Sequence, residues 1–100
     1  MADFNSGKRY ITRGIEATVP LYRMIILWEL IDRRKAHTTM DYLQIFTLKT
    51  ENGVQRIIHE QEQPKPFRDE YTFVFPNCID EKIYIIDDGD YETMLLSSEY

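Results

Sequence analysis

The sequence predicts an α+β domain in which one long helix packs on a mainly antiparallel sheet of about six strands. The predicted element order is β-α-β-β-β-β-β. Two observations support this prediction: only one segment, 20–35, spaces its apolar residues as a helix does, and most of the other segments alternate as strands do. The connections are short, and a single helix can bury its apolar face only against a sheet.

The first predicted element is a short strand from Lys8 to Arg13, which Gly14 ends. Residues 1–7 are small and polar and are expected to form a flexible tail, so the domain is predicted to span residues 8–100. Pro20 suits the first turn of the helix that follows, and basic residues occupy its last turn, where the helix dipole favours cations.

The helix presents two apolar stripes. The wider stripe is predicted to face the core, with Trp28 as a central residue, and consists of Leu21, Met24, Ile25, Leu27, Trp28 and Ile31. Ile26 and Leu30 form a second stripe bordered by arginines, and the sheet either covers this stripe or leaves it exposed. If it is exposed, the candidates for an interface with another protein or a second copy are Ile26, Leu30, Arg23 and Arg33.

A β-hairpin is predicted after the helix. Segments 42–49 and 54–61 read as strands, and Asn52-Gly53 between them is a strong signal for a two-residue turn with positive φ. This turn sets the register of the two strands, because it fixes which residues stand opposite each other. It places Leu48 opposite Ile57 and Phe46 opposite His59.

Three further strands are predicted towards the C-terminus. Segment 62–69 contains Pro64 and Pro66 and is expected to be an irregular connection. The strands are then 71–75, 82–86 and 91–96, the last two forming a hairpin around Asp88-Gly89. Residues 91–97 could also form a helical turn, but a strand is favoured.

The tip of this last hairpin concentrates carboxylates. Asp87, Asp88, Asp90 and Glu92 are the candidate ligands for a hard cation, which prefers oxygen donors on a tight loop. Their order does not match a calcium loop, and Asp and Gly are also common turn residues, so a solvated turn without metal or other cofactor is expected. The alternative is a small metal-dependent hydrolase or nuclease that uses these acids together with His59.

Other residues of chemical interest are better explained by structure. On a strand, His59 points away from Glu60 and Glu62, so we expect it to be packed and hydrogen-bonded rather than a catalytic base. Cys78 has no neighbouring cation or histidine in the sequence to activate it as a nucleophile. Without a catalytic set, the protein is not expected to be an enzyme.

Net charge constrains the partners. The total is −5, but residues 1–40 carry seven Lys/Arg against four Asp/Glu, whereas residues 77–100 carry one against seven. Nucleic-acid binding by the basic N-terminal part is a second alternative, although the overall acidic excess opposes it. No apolar run approaches the roughly 20 residues that span a bilayer, and the single cysteine suits a reducing cytoplasm. The basic N-terminal part proposed for nucleic-acid binding consists of Lys8, Arg9, Arg13 and Arg23, with Tyr10 between them.

Several segments together resemble a family of small proteins of Gram-positive bacteria, domain of unknown function 960. They are Arg9–Gly14, Leu27–Asp32, Asp41–Phe46, His59–Glu62, Ile85–Asp88, Met94–Leu96 and Glu99-Tyr100. The family has no assigned activity, so the resemblance transfers no site residues. It implies a bacterial, cytoplasmic accessory protein of the kind that phages and other mobile elements encode. The leading hypothesis, which rests on the missing catalytic set, the second stripe of the helix and the uneven charge, is a non-enzymatic interaction or regulatory module that contacts another protein or itself.

Overall fold

The computed structural model describes residues 8–100, which form a six-stranded sheet with two short helices packed on one face. The predicted N-terminal tail, residues 1–7, lies outside the described residues. The strands are β1 (Lys8–Ile11), β2 (Leu43–Glu51), β3 (Val54–Gln61), β4 (Phe67–Phe73), β5 (Glu81–Asp87) and β6 (Tyr91–Leu96). The helices are α1 (Arg13–Thr18) and α2 (Leu21–Lys35), and a 3-10 turn (Ser97–Glu99) follows β6.

The strands lie in the order β1-β6-β5-β2-β3-β4. Only the pairing of β1 with β6 is parallel, and the other four pairings are antiparallel. The edges of the sheet are therefore β1 and β4. Because both helices pack on the same face, no helix of residues 8–100 covers the opposite face, which we call the open face.

The predicted fold class is wrong, because the chain does not form one long helix on a sheet. Strands make up 44% of the structure, and the helical part is divided between two short helices. Thr12 explains the difference: its hydroxyl accepts a hydrogen bond from the backbone N–H of Ile15 (3.3 Å) and so caps α1, where the sequence suggested the end of a strand. The element order is β-α-α-β-β-β-β-β.

The face that α2 buries is also rotated from the predicted one. Leu21 and Ile25 are 68% and 47% exposed, and Trp28 lies at the edge of the core rather than at its centre. The buried residues of the helix are Arg23, Met24, Leu27, Leu30 and Ile31. The sequence pattern missed this rotation because a buried arginine occupies one position of the core-facing stripe.

The predicted hairpin between β2 and β3 is confirmed. Asn52 and Gly53 both have positive φ (51° and 79°), and the register sets Phe46 opposite His59 and Leu48 opposite Ile57. Short turns with positive φ match the twist of the flanking strands, so this register follows from the turn. Strand β2 also pairs with β5, which places the hairpin at the centre of the sheet.

The C-terminal strands differ from the prediction in β4, at both of its ends. Strand β4 runs from Phe67 to Phe73 instead of 71–75, because its cross-strand pairing with β3 extends from Gln55↔Phe73 to Gln61↔Phe67 and the two prolines lie just before it. Residues 91–96 are a strand and not a helical turn, since β6 pairs with both β1 and β5. In residues 8–100 no helix has the length and apolar character needed to cross a membrane.

Candidate interaction surfaces

A groove of about 660 Å³ lies between α2 and the edge strand β4. Its apolar surface comes from Ile26 and Leu30 on the helix and from Phe73 on the strand, and its charged surface from Glu29, Asp32 and Arg33. Glu29 and Arg33 are exposed and take part in no ion pair within the described chain. The groove therefore has an apolar centre and a charged rim.

The four interface candidates fall into two groups. Ile26 is half-buried, Arg33 is exposed, and both line the groove. Leu30 also borders the groove but is only 5% exposed and belongs to the core, and Arg23 is 2% exposed. Of the two alternatives for this stripe, Leu30 therefore follows the one in which it is covered, whereas Ile26 stays half-buried at the groove. Arg23 lies inside the protein because α2 is rotated.

Arg23 anchors the start of α2 to the sheet. Its Nη1 donates a hydrogen bond to Oε1 of Gln55 (3.1 Å), and its guanidinium carbon lies 4.1 Å from the centre of the Phe75 ring. Its Nε has no hydrogen-bond partner among residues 8–100, and burial lowers the pKa of this guanidinium from its ordinary value. Gln55 in turn forms hydrogen bonds with the backbone of Lys49 and Ile79. The network therefore joins the helix to β2 and to the segment that precedes β5.

The outer edge of β4 is unpaired. Within residues 8–100, this strand has backbone ladder bonds to β3 alone, and no other backbone hydrogen bond reaches it. On its helix-facing side the rings of Tyr71, Phe73 and Phe75 stack in series, with centroids 6.3 and 5.5 Å apart. An unpaired edge with an aromatic ladder therefore runs alongside the groove.

The open face of the sheet is unusually apolar. Cross-strand neighbours bring six large side chains together: Leu43, Ile45, Ile58, Tyr84, Ile86 and Leu95. Ile58 and Leu95 are only 5% and 8% exposed although neither helix of the described residues covers them, and the other four are half-buried. Antiparallel sheets with one free face normally place polar residues there, so this band is a candidate contact surface.

The acidic residues of the last hairpin do not converge. Asp87 and Asp88 accept hydrogen bonds from backbone N–H groups of the turn, at 2.9–3.1 Å, and Asp90 is exposed. Glu92 points to the helix-covered side of the sheet, where Lys35 and Arg9 bind its carboxylate, and is 5% exposed; its cross-strand neighbour Asp87 instead accepts from the turn. Within residues 8–100, no group of three or more His, Cys, Asp or Glu side chains is arranged to hold a metal ion.

Glu92 instead belongs to an ionic cluster that joins β1 and β6 to α2. Its carboxylate accepts hydrogen bonds from Nε of Arg9 (2.8 Å) and from Nζ of Lys35 (2.6 Å). Arg9 also pairs with Asp32 and lies over the Trp28 ring, 4.7 Å from its centre. Arg9 thus forms its ion pairs within the protein. The predicted basic N-terminal patch does not form one surface, because Lys8 and Arg13 are exposed whereas Arg23 is buried.

His59 is fully buried in a polar network. Its ring stacks on Phe46 (centroids 4.2 Å apart), and its Nε2 lies 2.7 Å from Oε1 of Gln44. Because the amide nitrogen of Gln44 donates to Gln61 and to the backbone of Asp41, Gln44 offers His59 an acceptor, so the proton of the neutral ring is on Nε2. His59 is therefore a packed and hydrogen-bonded residue with no carboxylate of Glu60 or Glu62 on its side of the strand.

The burial of His59 makes the stability of the protein depend on pH. Burial lowers the pKa of His59 from 6.5 to about 4, with the carboxylate of Asp69 opposing this shift and Arg34 adding to it. Above pH 6.5 the ring is neutral in both the folded and the unfolded chain, so the full stability is present. As the pH falls from 6.5 through 4, protonation favours the unfolded chain, and the free energy of unfolding is expected to decrease by up to about 3 kcal/mol.

Urea unfolding at several pH values between 7.5 and 4.5 measures this dependence. A His59→Phe variant keeps the ring stacking and is expected to lose most of the pH slope between 6.5 and 4.5. A matched control, His37→Gln, replaces the exposed histidine and should retain the slope of the parent protein. An unchanged slope in His59→Phe would contradict the assignment.

Cys78 is half-buried, and its sulfur lies 3.8 Å from the carbonyl oxygens of Gly53 and Phe75. A thiol that donates weakly to carbonyls has no base beside it, as a nucleophile requires. Three candidate interaction surfaces remain: the groove, the outer edge of β4 and the open face of the sheet.

Comparison with known proteins places the chain in a family. Residues 8–99 match the model of the family described as "Staphylococcal protein of unknown function (DUF960)". The chain belongs to this family. The resemblance seen in the sequence is thus confirmed over nearly the whole chain. No curated protein matches the chain.

A solved structure is similar to this member of the family. It is described as "Crystal structure of the protein of unknown function from Enterococcus faecalis" and shares 26% sequence identity with this chain. The match covers 96% of this chain and 92% of that one, with a TM-score of 0.79. The fold is therefore shared with a second protein whose function is also unknown.

Proposed function

We propose that the protein is a non-enzymatic interaction module that binds an extended segment of another protein along the edge strand β4. The observation that carries this proposal is the unpaired edge of β4 beside the groove under α2. A seventh strand added at this edge would complete the ladder of β4 by main-chain hydrogen bonds. Its helix-facing side chains would then enter the groove, where Ile26 and Phe73 provide apolar contacts.

The side-chain pattern of such a segment follows from strand geometry. Side chains alternate between the two faces of a strand, so every second residue of the partner would point into the groove. These residues should be apolar, since Ile26, Leu30 and Phe73 form the centre of the groove. Residues between them would point to the other face of β4, beside Glu70, which pairs with Arg56 and Arg68.

A second copy of β4 is not the occupant that we propose. The outer strand carries three successive charged residues, 68–70, although Asp69 is paired with Arg34 and Glu70 with Arg56 and Arg68. Charged residues on an edge strand commonly prevent self-pairing. The partner is therefore a different chain.

Nothing in this role requires catalysis, and we propose that it is regulatory and takes place in the bacterial cytoplasm. Cys78, the single cysteine of the sequence, is in no disulfide, which agrees with a reducing compartment. An accessory protein of a phage or other mobile element would act in this way by occupying a segment of a host protein.

A synthetic heptapeptide tests the proposal. The probe is acetylated and amidated, with the sequence Thr-Val-Lys-Val-Lys-Val-Thr, and is titrated to about 1 mM, where weak binding is still measurable. Chemical shifts of the β4 amides in NMR spectra should change and saturate.

Two N-methylated peptides test the binding mode. Successive backbone N–H groups of a strand point to opposite edges, so methylation of the Val nitrogens blocks one edge and methylation of the Lys nitrogens blocks the other. One of the two peptides should lose binding and the other should keep it. Loss in both or in neither would rule out strand addition, as would the absence of shift changes in β4 with the unmodified peptide.

Variants of α2 test the groove. Ile26→Asp is expected to weaken peptide binding at least tenfold, because it places a charge in the apolar centre. Ile25→Asp is the matched control: it makes the same substitution at the next residue, which is exposed and does not line the groove. Equal binding by the two variants would show that the peptide lies elsewhere.

A further inference from the structure

We infer that the open face of the sheet is a self-association surface on which a second copy of the chain packs face to face. This surface is separate from the groove, which lies on the helix-covered side. Its centre is the apolar band already described, in which Tyr84 of β5 stands between Leu95 of β6 and Ile45 of β2. Ile86 and Leu43 continue the band one row further along the strands.

The band is contiguous across three to four strands, and this continuity is what a partner sheet needs. Two sheets that pack face to face interdigitate their inner side chains in a layer about 10 Å thick. On this face Ile58 reaches the band from β3, next to Thr47 of β2, so the apolar centre covers the middle of the sheet. Isolated exposed apolar residues are common on protein surfaces, but a contiguous band is typical of an interface.

Tyrosines surround the band. Tyr10 and Tyr91 are in edge-to-face contact at 5.2 Å, and Tyr84 meets Tyr100 at 5.4 Å. Tyr100 also shares a hydrogen bond with Tyr42, which raises the pKa of Tyr42. Four of these rings are more than one-third exposed: Tyr10, Tyr42, Tyr91 and Tyr100. Aromatic residues with a polar end are enriched in protein interfaces, since they bury area and still find hydrogen-bond partners.

Charge at the two ends of this face argues for a second copy as the occupant. At one end Lys49 and Lys82 project from the open side of β2 and β5, and at the other end lies the turn with Asp88 and Asp90, beside Lys8 at the start of β1. All five are exposed, and none belongs to an ion pair within residues 8–100. The face is therefore positive at one end and carries an excess of acid at the other.

A two-fold axis in the plane of the interface, perpendicular to the strands, uses this polarity. It reverses the strand direction of the second copy, so the aspartates of each turn lie over the lysines of the other sheet. Closed two-fold dimers are the commonest oligomers, and their contact surface must be self-complementary, as this one is. A partner with a uniform charge would meet repulsion at one of the two ends.

Such a dimer would carry its helices on the outside. Both α2–β4 grooves then remain accessible, one on each copy, so the assembly could bind two segments of a partner at once. This consequence rests on the proposed function, whereas the dimer itself does not. Two linked sites gain apparent affinity for a partner with two binding segments, without any new contact.

Sedimentation of the full chain from low to high micromolar concentration tests the inference. The parent protein is expected to reach the mass of a dimer. Ile45→Asp places a charge in the centre of the band and should raise the dissociation constant of the dimer at least tenfold, while Ile25→Asp, on the exposed side of α2, should leave it unchanged. A parent protein that stays monomeric at all concentrations overturns the inference.

Exposed residues at the two ends of the face provide variants that do not require the half-buried band to accept a charged side chain. Lys82→Glu should weaken the dimer, and Lys82→Glu combined with Asp88→Lys should restore it, because the swap re-creates opposite charges across the two-fold axis. A dimer that is indifferent to Ile45→Asp and to both charge variants has its interface elsewhere, which overturns the inference. Titration of the monomeric variant with the heptapeptide separates the two proposals, since strand addition at β4 does not require the dimer.

Discussion

Replacement of Leu27 by alanine is expected to lower the free energy of unfolding by about 3–5 kcal/mol, a large part of the stability of a domain of this size. Leu27 is fully buried at the middle of α2 and belongs to the core formed with Phe46, Ile57 and Ile83 of the sheet. Truncation removes its transfer free energy and leaves a cavity, which the packed sheet beneath can fill only in part. Urea unfolding at pH 7.5 measures the loss.

Ile25→Ala is the matched control for Leu27→Ala. Ile25 lies on the same helix and is nearly half exposed, so its truncation should change the free energy of unfolding by no more than about 1 kcal/mol. The sequence pattern alone assigned both residues to the core-facing stripe, together with Trp28. Similar losses in the two variants would therefore support the orientation of α2 that the sequence suggested and contradict the orientation in the structure.

The orientation of α2 shows where sequence reasoning fails. Helical periodicity identifies an apolar stripe but assumes that charged residues lie outside it. Arg23 breaks this assumption, since its aliphatic part and guanidinium are buried against Phe75 and Gln55. Only the tertiary structure shows the hydrogen-bond acceptor and the aromatic ring that Arg23 contacts, and in this orientation of the helix Leu30 also faces the core.

Local signals were more reliable where one turn determines the geometry. Asn52-Gly53 predicted both the β2–β3 hairpin and its register, because positive φ at two successive residues leaves few alternatives. The cap of α1 had a weaker signal: Thr12 was compatible with a strand end and with a helix cap. Its hydroxyl caps the helix and also donates to Glu99, a contact between residues 87 positions apart that no local pattern contains.

The candidate surfaces illustrate the same limit. The groove could be predicted in part, since Ile26 and Arg33 were identified as interface candidates, but Phe73 joins them only through the position of β4 in the strand order. The open face could not be predicted, because a strand with apolar residues on both sides reads as buried on both sides. Which face the helices cover depends on the topology of the whole chain.

Replacement of Glu92 by alanine is expected to cost about 3 kcal/mol, although the sequence placed this residue in a solvated turn. Its side chain accepts charge-assisted hydrogen bonds from Arg9 and Lys35 and is almost completely buried. Removing one partner of a buried ion pair leaves the other charge poorly compensated in a medium of low polarity. Lys35 can turn its ammonium group to water, whereas Arg9 is held under α2 against Asp32 and Trp28. Most of the loss in stability therefore comes from the poorly compensated charge of Arg9.

Asp90→Ala is the control for Glu92→Ala, because it removes a carboxylate from the same hairpin at an exposed position and should change the free energy of unfolding by less than about 0.5 kcal/mol. A double variant, Arg9→Met with Glu92→Met, separates the pair from the packing. Since it removes both charges and keeps apolar volume, it should be more stable than Glu92→Ala. Equal stability of Glu92→Ala and Asp90→Ala would mean that Glu92 lies in water with the rest of the turn, and that β1 and β6 are joined to α2 without its charge.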